Sequence, residues 1–164
     1  MNIFFLDRDP AIAARLHCDQ HVAKMVLETA QILCAALFRH GMTTPYKPTH
    51  GRHPCVLWVG DSLAHWQWTR RLGLALGAEY TLRRQRVHAS AGVIAGLPDV
   101  PVIPDIGWSD PPQAMPDCYR TSDPVAAYRA YYAAEKNRFP GKGPATWTGR
   151  SRPDFMPPDS GPAE

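Results

Sequence analysis

The segment from Pro10 to His40 constrains the fold of this chain more than any other. Asp9 suits the N-cap of a helix and Pro10 its first position, while Gly41 is a natural stop. The spacing predicts one long helix over residues 10–40. At about 100° per residue, His17, Gln20, His21, Lys24, Glu28 and Gln31 share one arc of about the same width. Val22, Met25, Val26, Thr29, Ile32, Leu33, Ala36 and Leu37 take the opposite face. Ala23, Leu27, Ala30 and Cys34 widen the apolar region. A merely solvated stripe tends to be Glu, Lys, Arg and Ser. This narrow one carries imidazoles, amides, an amine and a carboxylate, which reads as the wall of a site because titratable groups cluster at sites. An ordinary wet helix face is the competing reading.

The remaining chain suggests a mainly α protein: a single domain over residues 1–156, built on about three major helices with long Pro/Gly-rich loops, and a disordered tail at 157–164. Asn2 to Leu6 reads as a buried strand or an extended arm. Prolines at 45, 48 and 54 keep residues 41–54 out of regular helix. A second helical region spans about 55–88, with a break at Gly60-Asp61 where Asp61 or Ser62 can cap a new start. Leu63, Trp66, Leu72, Leu76 and Tyr80 are core candidates, and Gly73 and Gly77 either permit close helix contact or weaken the helix. Residues 90–122 read as a long irregular segment. Asp123-Pro124 repeats the capped start, predicting a helix over 125–138 whose Tyr128, Tyr131 and Tyr132 form a core face.

Cys18, Cys34, Cys55 and Cys118 lack CxxC spacing and read as free thiols of a reducing compartment. Ile3-Phe4-Phe5-Leu6 is too short for a signal peptide, and no stretch is expected to span a bilayer. The expectation is a cytoplasmic protein without a membrane partner.

The formal charge of +3 and a pI near 8.8 permit a nucleic-acid partner without demanding one. Arg70-Arg71 and Arg83-Arg84-Gln85-Arg86 form one basic group. Arg129, Lys136, Arg138, Lys142, Arg150 and Arg152 form another, interleaved with Tyr128, Tyr131, Tyr132, Phe139 and Trp147. Basic residues mixed with aromatics suit a phosphate backbone with exposed bases; surface charge around core aromatics is the alternative. His50, Arg52 and His53 make the loop before Pro54 dense in imidazole and guanidinium, suited to phosphate or simply to solvent.

Lys24 and Glu28 are one turn apart. A carboxylate beside an amine supports acid/base work and amine attack on a sugar C1′, although an i, i+4 pair alone is worth only about 0.3–0.5 kcal/mol as an ion pair. His17 and His21 form HxxxH, a weak match to metal-ligand spacing that lacks the glutamate of HExxH. No P-loop, GxGxxG, GxSxG or CxxC pair is present, so dinucleotide and serine-hydrolase chemistries have no support.

Asp19-Gln20-His21, with Glu28 seven residues beyond the histidine, resembles the pyrimidine-dimer DNA glycosylases of T-even phages, the endonuclease V type. The order of elements is similar too: long first helix, loop, second long helix, irregular stretch, aromatic-rich C-terminal helix. The resemblance implies a small mainly α enzyme that cleaves the glycosidic bond of damaged bases and then the strand by β-elimination, without metal or other cofactor. It implies Glu28 as the catalytic acid, and Gln20 and His21 lining the DNA-contacting site. Family members attack with the α-amine exposed on removal of the initiator methionine. Here Asn2 follows Met1 and disfavours removal, so the nucleophile is the Met1 amine or Lys24. The family's arginine before the glutamate is replaced by Leu27. Segments 21–31, 46–50, 53–54 and 127–132 are also similar to uncharacterised small proteins of tailed phages, which implies no activity.

The leading expectation is therefore a monomeric DNA N-glycosylase with AP-lyase activity on double-stranded DNA. Glu28, Lys24 and Met1 are its catalytic candidates. Gln20, His21, His17, Gln31, His50, Arg52, His53, Arg83, Arg84 and Arg86 are its binding candidates. The rivals are an enzyme of free nucleotides or modified bases, a non-catalytic DNA-binding phage protein, and a metal-dependent hydrolase.

Overall fold

The computed structural model describes residues 1–158; the expected disordered tail lies largely outside them. Within these residues the chain is mainly helical. The helices are α1 (Pro10–Leu16), α2 (Asp19–Arg39), α3 (Pro54–Asp61), α4 (Leu63–Arg84), α5 (Ala89–Gly96) and α6 (Pro124–Glu135). A 3-10 turn covers Asp117–Tyr119, and β1 (Arg138–Phe139) pairs antiparallel with β2 (Gly143–Pro144).

The expected start is present: the Asp9 carboxylate accepts from the amides of Ala11 and Ile12, with Pro10 in the first turn. The single long helix is not. The chain leaves helical geometry at His17 and Cys18, both extended, before α2 begins. His17 turns inward there, its Nδ1 2.7 Å from the Ala13 carbonyl, and Cys18 N donates to the Tyr132 hydroxyl. The Tyr132 contact is tertiary and overrides the helical period. The break at Ser62 follows the sequence reading. Residues 90–122 are not wholly irregular, since most of α5 falls within them.

The apolar face of α2 is the centre of the core. Val22, Met25, Val26, Ile32, Leu33, Ala36 and Leu37 are all buried, and α2 packs on α3, α4 and α5. Leu27, by contrast, is exposed. Contrary to the sequence expectation, α2 is long and apolar enough to cross a membrane, but its apolar surface is taken up inside this fold. Gly73 and Gly77 serve close contact. A Cβ on Gly73 would lie 2.7 Å from Ile94 Cδ1 and 2.9 Å from Thr29 Cγ2, and one on Gly77 would lie 2.8 Å from Ala91 Cβ. Tyr128 and Tyr132 are fully buried and Trp147 nearly so, so these aromatics are core and do not stack on bases.

The N-terminal residues form a buried extended arm, not a strand. Asn2 fixes it. Its Nδ2 donates to the Ala114 carbonyl, and its Oδ1 accepts from Ile3 N. Phe4 has φ +49°, a region costly for a residue with a Cβ, and its ring lies 4.7 Å from that of His21. The arm thereby carries the chain start onto the polar stripe of α2.

Candidate active site

Glu28 sits midway along α2 and is only 12 % exposed. Its Oε2 accepts from the backbone amide of Asn2 at 3.2 Å and lies 3.8 Å from the α-amino nitrogen of Met1. Its Oε1 lies 3.4 Å from Lys24 Nζ. The carboxylate thus has an α-amine on one side and an ε-amine on the other. Lys24 is 62 % exposed, so the desolvation that would make it a strong nucleophile is missing.

His53 joins this group from α3, where its Nδ1 caps the helix by accepting from Cys55 N. Burial holds its imidazole below the usual histidine range, with the N-terminal amine and His50 acting in the same direction and Glu28 opposing. His53 is therefore near enough to sense both the amine and the carboxylate. His50 and Arg52 are exposed on the preceding loop, and Gln31 is half-buried one turn beyond Glu28.

Two cavities lie near residues that contact this group. One, of about 400 Å³, is bounded by Pro54, Pro111, Pro112, Gln113, Ala114 and Arg120, alongside the Asn2–Ala114 contact. The other, of about 550 Å³, lies beside Lys24 and is lined by Gln20, His21, Lys136, Phe139 and Lys142 among others. Sequence reasoning assigned no site role to the 111–114 segment or to Arg120. It placed Lys136, Phe139 and Lys142 only in a general basic–aromatic group. Their only early signal was composition, because they come together through long-range folding.

Several expected binding residues are elsewhere engaged. His17 is fully buried, and burial pushes its imidazole down to about 4, so it offers no surface to a ligand and is not on an exposed face with His21. Arg83 is also buried. Its guanidinium reaches Asp19 at 3.2 Å and Glu79 at 2.9 Å and donates to the carbonyls of His17 and Arg15. It is a cross-link in the core, while Arg84 and Arg86 remain exposed. Arg150 pairs with Glu79, and Arg129 with Asp7. Among the described residues no three His, Cys, Asp or Glu side chains converge on a metal position.

Asp19 and Gln20 anchor the C-terminal segment. The Asp19 carboxylate accepts from Thr148 N, from the hydroxyls of Thr146 and Thr148, and from Arg83. Burial opposes its charge, yet these bonds outweigh burial and hold its carboxyl below the usual range. Gln20 Nε2 donates to the Pro144 carbonyl. The β1–β2 hairpin is thereby seated over His21, whose ring meets Phe139 at 5.1 Å. Burial drives His21 down to about 2, with His17, Lys136 and Lys24 adding to the effect.

No protein-family model, curated protein or solved structure matches this chain.

Proposed function

We propose that this protein is a cytoplasmic, monomeric DNA N-glycosylase with associated AP-lyase activity, acting on damaged or modified bases in double-stranded DNA. One observation carries the reading: the chain's first two backbone nitrogens both address Glu28 Oε2, at 3.8 Å from Met1 and 3.2 Å from Asn2. Either state of methionine processing therefore leaves an α-amine beside the same carboxylate.

The chemistry follows from that pairing. The amine attacks C1′ of the deoxyribose, the C1′–N bond to the base breaks, and its electron pair leaves with the base, which takes up a proton. Loss of the amine proton and opening of the sugar give an imine. Removal of a C2′ proton then expels the 3′ phosphate, and water hydrolyses the imine to free the amine. Glu28 is placed to take the amine proton and to stabilise the cationic sugar. Arg84 and Arg86, both exposed, are the proposed phosphate contacts.

The test is strand cleavage of ultraviolet-irradiated and abasic duplexes by wild-type protein and by Glu28→Gln, with binding measured across salt. Cleavage lost in the variant while both proteins bind with a steep salt dependence supports the reading. Absence of cleavage on both duplexes overturns it. A steep salt dependence without cleavage would favour a DNA-binding protein.

A further inference from the structure

The cavity between α2 and the β1–β2 hairpin has a composition that the proposed chemistry does not use. Lys24, Lys136 and Lys142 border it, Ala23, Phe139 and Pro140 give it an apolar wall, and His21 lies in its lining. The His21 side chain is 4 % exposed. Its Nδ1 is buried, and among the described residues nothing hydrogen-bonds to it. Leaving a buried ring nitrogen unpaired is unfavourable. The cavity volume of about 550 Å³ falls within the range of about 300–1,000 Å³ common for small-molecule sites.

The charge balance narrows the ligand. Three lysines line the cavity; among the described residues Lys24 alone of them pairs with a carboxylate, Glu28, and Lys136 Nζ lies 5.0 Å from the centre of the Tyr131 ring. A phosphodiester brings one negative charge, whereas a phosphomonoester brings about 1.5 to 2 near neutral pH. The aromatic wall calls for a planar group attached to that anion, and a neutral imidazole offers such a ring a donor or an acceptor.

We infer that the α2–hairpin cavity binds a nucleotide bearing a 5′-phosphomonoester, with the phosphate on Lys136, Lys142 and Lys24 and the base against Phe139 and His21. The ligand has two sources: a free mononucleotide, or the 5′-phosphorylated strand end that β-elimination leaves. The second source rests on the lyase reading. Under it the cavity retains one product strand after cleavage.

Calorimetric titration of the full chain with dAMP, deoxyadenosine, inorganic phosphate, and one oligonucleotide with and without a 5′ phosphate tests this. We expect dAMP to bind at least 10-fold tighter than deoxyadenosine or phosphate, and Lys136→Ala/Lys142→Ala to remove that advantage. Phe139→Leu weakens dAMP and leaves phosphate unchanged. A 10-fold preference for the phosphorylated oligonucleotide identifies the strand end. Binding of dAMP without that preference identifies the free nucleotide and still upholds the cavity. Equal binding of dAMP and phosphate, or unchanged dAMP binding in both variants with unaltered thermal melts, overturns the inference. Because none of these titrations involves cleavage, tight dAMP binding by a protein that cleaves nothing would sink the lyase reading and leave the cavity standing.

Discussion

The two carboxylates of α2, Asp19 in its first turn and Glu28 near its middle, lie on opposite sides of the helix and behave oppositely. At the Asp19 end the carboxylate is buried under Thr146, Thr148 and Arg83, and its bonds hold the C-terminal segment in place. At the Glu28 end the carboxylate keeps some exposure and faces two amines, neither of which makes another ion pair among the described residues. Helical period sets the two about 180° apart but does not say what each one meets. What separates them is the distant chain that arrives on each: residues 146–148 on one, residues 1–2 and His53 on the other.

The largest expected effect falls at the open end. Glu28→Gln should lower strand cleavage about 10²–10⁴-fold, measured on an abasic duplex, with only a small change in Tm. Cleavage retained within a few-fold would erase the functional half of the contrast. At the closed end Asp19→Ala should cost about 1–3 kcal/mol of unfolding free energy, because it leaves Thr148 N and the Thr146 and Thr148 hydroxyls without their acceptor while Glu79 still pairs with Arg83. A loss below 1 kcal/mol in urea unfolding would show that the network is not what holds the C-terminal segment.

Acid sharpens the same contrast. His17 has a folded value of about 4 against about 6.5 unfolded, so between those values the unfolded chain binds the extra proton. Stability is then fully present above about pH 6.5 and falls as pH drops toward 4, by about 3 kcal/mol from this residue. The lowered His21 acts in the same direction. Asp19 and Glu79, also lowered, lose their contribution at still lower pH as they protonate. Urea unfolding at pH 7.5, 5.5 and 4.5 checks this, and a flat profile would contradict the burial assigned to the histidines. The smallest effect is expected on the surface: Arg84→Ala and Arg86→Ala should each weaken duplex binding across all sequences and reduce the salt slope by about 1. Unchanged slopes would place the duplex elsewhere.

Much of the architecture was legible because it is local. Asp9-Pro10, Asp123-Pro124, the break at Ser62 and the apolar face of α2 follow from capping and periodicity. Gly73 and Gly77 follow from spacing. The turn at His17-Cys18 was not legible, because it depends on Tyr132, 114 residues away. For the same reason Arg83, alike in sequence to Arg84, could not be recognised as a buried cross-link. Glu28 and Lys24 were legible as a pair, but the amine on the other side of Glu28 required the folded arm, as did the cavity closed by Lys136, Phe139 and Lys142.

The central claim is that the reacting amine is the one at the chain start. The direct measurement is borohydride trapping of the protein on an abasic duplex, followed by peptide mass mapping of the adduct. The adduct should map to the α-amine of the N-terminal peptide and be lost or strongly reduced in Glu28→Gln. An adduct on Lys24, or none at all, would contradict the account.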